Sequence, residues 1–138
     1  MSQWTHVCGC IRFDAIRGVP GQNIESLKKA LGNTVSYGDP KEKWDACDVP
    51  CGSEGSLQYS IYENPSLSSI AAYTVSVHGD LRNYDSVDEI EKWLNRVTEN
   101  WNKMIRQVVF HIRVEGIKET IFWWDGEKIN GRIIVIGK

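Results

Sequence analysis

Seven side chains in this sequence could ligate a soft metal or carry protons near neutral pH: His6, His78, His111, Cys8, Cys10, Cys47 and Cys51. Imidazole and thiolate are suitable zinc ligands, and an imidazole beside a thiol can take its proton and leave a nucleophilic thiolate. The spacing C-x-C followed much later by C-x-x-x-C departs from the tight pairs of common structural zinc sites. The candidate metal group is therefore His6, Cys8, Cys10, His78 and His111, which only the fold can assemble. Apart from zinc at that group, no cofactor is expected.

A second chemistry is anion binding. Arg12 and Arg113 offer planar, permanently charged donors. Between Pro50 and Ser56 the glycines Gly52 and Gly55 free the backbone, while Ser53 and Ser56 add hydroxyls, a composition suited to cradling a phosphate. No Gly-Lys-Ser or Gly-Lys-Thr follows, so the stretch is no Walker loop, nor does it open a helix as a dinucleotide fingerprint does. An ordinary turn is the plainer alternative. Six tryptophans are many for 138 residues. Trp44 and Trp124 are candidate rings for stacking on a planar ligand, and Trp123 must point to the opposite side of its strand from Trp124.

Nucleophile-elbow, metalloprotease-helix, glycosidase and kinase signatures are not found in the sequence. The net charge of −2, with both signs interleaved, provides no broad basic field for non-specific nucleic-acid binding. No run approaches the length of a membrane span, and the N-terminal residues do not read as a secretory leader. The expected compartment is the cytoplasm, where cysteines stay reduced.

These residues need elements to position them. Trp4 to Phe13 alternates, with Val7, Ile11 and Phe13 on one face and His6, Cys8, Cys10 and Arg12 on the other. Asn23 can cap a short helix bearing Ile24, Leu27 and Leu31, stopped by Gly32. Residues 33–56 read as a long irregular loop. Alternation through Leu57, Tyr59 and Ile61 and through Tyr73, Val75 and Val77 predicts two strands, separated at Asn64-Pro65. Ser86 and Glu89 form a capping box ahead of Val87, Ile90, Leu94, Val97, Trp101 and Met104. Val108 to Val114 predicts a strand, and Thr120–Trp124 with Arg132–Ile136 predicts a hairpin.

The expected fold is a single α+β domain, ferredoxin-like (βαββαβ), with two helices on one face and a C-terminal hairpin. In that arrangement the first strand is central, so Thr74, Ser76 and His78 on one neighbour, and His111, Arg113 and Glu115 on the other, share its polar face. The same face would serve equally as an interface covered by the hairpin or by a second subunit, making a homo-oligomer. Its small and polar residues give no platform for stacking bases, which argues against sequence-specific RNA binding.

The stretches MSQWTHVCGCIRFD and VPCGSEGSLQYSIYENP resemble small proteins encoded by bacteriophages and mobile elements of bacteria. The resemblance implies an accessory, anti-defence role, such as sequestering a nucleotide signal, and carries over no binding residue. Function is thus expected to be non-enzymatic binding of a small phosphate-bearing molecule through Arg12 or Arg113, loop amides from Gly52 to Ser56, and Trp44 or Trp124. A small metal- or thiol-dependent enzyme and a protein-binding inhibitor are the alternatives.

Overall fold

A computed structural model describes residues 2–64, 69–101 and 104–135. Its main body is one antiparallel sheet of six strands in the order β4-β5-β1-β6-β7-β8. The strands are β1 (Trp4–Ile16), β4 (Gln58–Glu63), β5 (Ile70–Arg82), β6 (Ile105–Val114), β7 (Lys118–Trp124) and β8 (Ile129–Val135). A separate ribbon pairs β2 (Cys51–Gly52) with β3 (Gly55–Ser56). The helices are α1 (Ile24–Leu31), α2 (Lys41–Asp45) and α3 (Val87–Trp101).

This corrects the expected ferredoxin-like βαββαβ fold with two helices. Among the described residues there are three helices and two sheets, and the C-terminal hairpin continues the main sheet through β7. The added pieces lie in residues 33–56, where the chain turns through α2 and the ribbon. Pro40 opens α2 with the φ of −67° that its ring favours, and the Lys43 and Trp44 amides donate back to its carbonyl. Ile136, in the expected last strand, and Pro65, in the expected turn, lie outside the described residues.

β1 pairs with β5 from Trp4 opposite Arg82 to Ile16 opposite Ile70, and with β6 from Thr5 opposite Val114 to Phe13 opposite Ile105. Strand pleating sends Val7, Ile11, Phe13 and Ala15 to one face, where all are buried. Val75 and Val77 from β5 and Val108, Phe110 and Ile112 from β6 join them there. Leu27 and Leu31 of α1 and Ile90, Trp93, Leu94 and Val97 of α3 close over this face. Trp101 meets Phe13 edge-on at 5.7 Å between ring centres, and Trp93 meets Phe110 at 6.3 Å.

The helix ends follow their residue chemistry. Asn23 caps α1, its side-chain oxygen accepting the Ser26 N–H at 2.9 Å, and Gly32 ends the helix at φ 100°. α3 begins at Val87 directly after Ser86, but the Glu89 carboxylate receives the Tyr84 hydroxyl at 3.5 Å. No helix among the described residues is long and apolar enough to cross a membrane.

Candidate functional site

The site is built where the end of α1 meets the middle of α3. The buried Trp93 indole donates to the Leu31 carbonyl at 2.9 Å, and the Tyr59 hydroxyl donates to the Gly32 carbonyl at 2.9 Å. Both bonds satisfy carbonyls that a helix end leaves open and that carry its negative partial charge. Burial raises the pKa of Tyr59, keeping this donor protonated.

Beyond Gly32, the segment leading out of α2 is drawn against the chain. Asn33 N–H donates to Asp48 Oδ2 at 3.0 Å, Asp48 N–H returns to the Asn33 carbonyl at 2.9 Å, and the Asn33 side chain donates to the Ala46 carbonyl at 3.3 Å. Gly32 is required twice over. Its φ is left-handed, and a Cβ there would lie 2.6 Å from Asp48 Cβ. Arg96 of α3 completes the attachment by donating to the Asp48 carbonyl at 3.0 Å.

Three adjoining clefts result. The central one, of about 490 Å³, is bounded by Lys28, Lys29, Asn33, Asp48 and Arg96. On one side a cleft of about 400 Å³ shares Gly32 and Asn33 with it and adds Tyr59, Lys43 and Glu42. On the other, a cleft of about 360 Å³ shares Asp48 and Arg96 and adds Lys92, Glu89, Trp93 and Cys51. The walls thus carry five cations, Lys28, Lys29, Lys43, Lys92 and Arg96, against the carboxylates Glu42, Asp48 and Glu89. The side chains of Lys28, Lys29 and Lys92 have no ion-pair or hydrogen-bond partner among the described residues. Asp48 is engaged by Asn33 and Glu89 by Tyr84, so two of the three carboxylates already accept protein donors.

The residues singled out from sequence do not assemble here. Arg12 and Arg113 lie exposed on the opposite face of the sheet, and Arg113 stands 3.6 Å from Glu119. Gly52 and Gly55 pair within the ribbon, while Ser53 N–H is spent on the Arg82 carbonyl and Ser56 N–H on the Val35 carbonyl, at 3.0 and 2.9 Å. Gly52 sits so close to β5 that a Cβ would fall 2.8 Å from Arg82 backbone atoms. Trp44 is half-buried on α2. Trp124 packs against the core, and Trp123 is the outward ring.

His6, Cys8, Cys10, His78 and His111 do share the outer face, as the alternation of β1 and its neighbours requires. Cys8 lies directly between His78 and His111 in register, and Cys10 between Ser76 and Val109. His6 bridges Asp80 at 2.6 Å and Glu115 at 2.7 Å, and these two carboxylates, Glu115 first, raise its pKa. His111 bonds Glu119 at 2.6 Å. Among the described residues no group of three or more His, Cys, Asp or Glu side chains is arranged to hold a metal ion.

Sequence reasoning missed the cationic clefts. Two signals were present: Lys28-Lys29 at the end of one helix, and Lys92 and Arg96 four residues apart along another. No family model, curated protein or solved structure matches this chain.

Proposed function

We propose that this chain is a binding protein for a small, phosphate-bearing molecule, held in the clefts between α1, α3 and residues 46–51. One observation carries the reading: unpaired Lys28, Lys29 and Lys92 converge with Arg96 on adjoining clefts of a chain whose net charge is −2. Lysines in the last turn also complement a helix dipole, which accounts for Lys28 and Lys29 alone. It does not account for Arg96 in the body of α3, which borders the same cleft, or for Lys92, which borders the adjoining one. Capture of the α1 carbonyls by Trp93 and Tyr59 removes the negative end that would otherwise oppose an anion.

A nucleotide is the first ligand of this class to test. Its phosphates would lie among Lys28, Lys29 and Arg96, with its base toward Tyr59 in the adjoining cleft, and each space is within the usual size for small-molecule sites. The reading assigns recognition and no chemical step.

Calorimetric titration with pyrophosphate and with adenosine triphosphate tests it. The nucleotide is expected to bind more tightly than pyrophosphate, and Lys28→Glu and Lys29→Glu are each expected to weaken it by about tenfold or more. Arg12→Glu, on the other side of the sheet, is expected to leave affinity unchanged. Absence of saturable binding by either probe, or equal loss in Arg12→Glu, would overturn the reading.

A further inference from the structure

The two edges of the six-stranded sheet differ in character. β4 starts beside the ribbon, where the Gln58 side chain donates to the Val35 and Ser56 carbonyls at 3.1 and 3.2 Å, and it ends at Glu63, paired with Arg17 at 2.9 Å. β8 pairs with β7 alone, from Ile129 opposite Trp124 to Val135 opposite Lys118, and among the described residues no strand lies along its other side. Every second residue of that side turns an N–H and a C=O outward, a template for another strand. Edge strands are ordinarily guarded by charges, proline or a bulge. β8 contains no proline and a single charge, Arg132, and its pairing with β7 runs without a shift in register. Ile133 and Ile134 are 60% and 43% exposed, and as consecutive strand residues they leave apolar surface open on both sides of the edge.

We propose that β8 pairs antiparallel with β8 of a second copy, about a two-fold axis at Ile133, joining the two sheets into one. The axis stands perpendicular to the sheet, so the helices of both copies lie on the same side. Ile133 then meets its own counterpart, Arg132 meets the second copy's Ile134, and Gly131 meets the second copy's Val135. No like charges are opposed, whereas an axis at Arg132 would set two guanidinium groups against each other.

The same register complements charge. The aliphatic stem of Arg132 covers the second copy's Ile134, and its guanidinium is directed toward the second copy's Glu119. Glu119 lies opposite Ile134 in the β7–β8 pairing, so it is two strand spacings, about 10 Å, from Arg132 across the joint. The Arg132 side chain has no ion-pair or hydrogen-bond partner among the described residues. Glu119 already binds His111 at 2.6 Å, and a carboxylate has capacity for a further donor. A second copy thus covers both exposed isoleucines and pairs the one charge of the edge in a single symmetric contact, which makes it the occupant this edge fits.

This interface is separate from the anion clefts, none of which is lined by a β8 residue. One strand from each copy makes a small contact, so association is expected between about 1 and 500 µM. The test is sedimentation of the whole chain across that range, with dithiothreitol present. The mass is expected to rise from one chain to two. Ile133→Lys, which places like charges on the axis, is expected to weaken association at least tenfold, while Tyr62→Lys on the β4 edge leaves it as in the parent. A second measurement uses Ile133→Cys and Ile134→Cys, each oxidised without reductant and mapped by peptide mass. Ile133→Cys is expected to give a bridge between the two substituted positions, and Ile134→Cys, which faces Arg132 across the joint, is expected to give far less. The proposal fails if the parent is a single chain at every concentration, which would leave the edge to a foreign strand. It fails equally if Ile133→Lys associates like the parent, or if Ile134→Cys bridges as readily as Ile133→Cys.

Discussion

Asn33 and Asp48 grip each other in both directions, one through its main-chain N–H to a carboxylate at 3.0 Å, the other through its own N–H to a carbonyl at 2.9 Å. This exchange positions residues 46–51, and Gly32 makes room for it. Gly32→Ala is expected to cost at least ~2 kcal/mol, from the left-handed φ and from the overlap with Asp48 Cβ. Asp48→Gly removes the overlapping atom along with the carboxylate. A double-mutant cycle in urea should show Gly32→Ala costing less in the Asp48→Gly background, with the φ penalty remaining.

Trp93 links α1 to α3 through the Leu31 carbonyl and is only 2% exposed. Trp93→Phe keeps an aromatic ring but leaves that carbonyl without its donor, so a loss of ~2 kcal/mol is expected. Trp44→Phe is the control, because α2 has no buried residue; its denaturation midpoint should stay within ~0.5 kcal/mol of the parent.

His6 makes stability depend on pH. Glu115 and Asp80 hold its folded pKa above the ordinary 6.5. Its contribution is therefore complete below pH 6.5 and is lost as pH rises through the higher folded value. The side chain is 40% exposed, so solvent screening limits the effect to roughly 0.5–1 kcal/mol. Urea midpoints measured across that window should fall for the parent, and His6→Asn should remove this component of the slope.

Thr120 is 2% exposed, and its hydroxyl has no hydrogen-bond partner among the described residues. It occupies a strand position opposite Ile112 and Ile133, where a β-branched apolar side chain fits the pleat. Thr120→Val should stabilise the protein by ~1 kcal/mol, seen as a higher melting temperature. A lower melting temperature would show that the hydroxyl has a partner.

Long, regular elements were legible because their periodicity is carried by many residues. The alternation from Val7 to Phe13 placed His6, Cys8, Cys10 and Arg12 on the outer face, and Asn23 and Gly32 marked both ends of α1. Residues 33–56 were not legible as structure. α2 is five residues long and each ribbon strand two, too short for a period to emerge. They are held by main-chain bonds to Asn33, Val35 and Arg82, which leave little trace in side-chain pattern. Alternation separated Trp123 from Trp124 without saying which faces inward. The clefts were hidden for another reason: Lys28 and Lys29 lie far along the chain from Lys92 and Arg96, and tertiary packing through Trp93 brings them together.

The position of β1 also governs the order in which the chain can become a protein. It is translated before both of its neighbours, yet Thr5 must pair with Leu81 on one side and Val114 on the other. During synthesis it waits with both edges open, then with one, until β6 has left the ribosome. Non-local pairing of this kind makes folding slow and leaves strand edges available to other chains meanwhile. A nascent chain arrested short of β6 should therefore be a better chaperone client than the completed one.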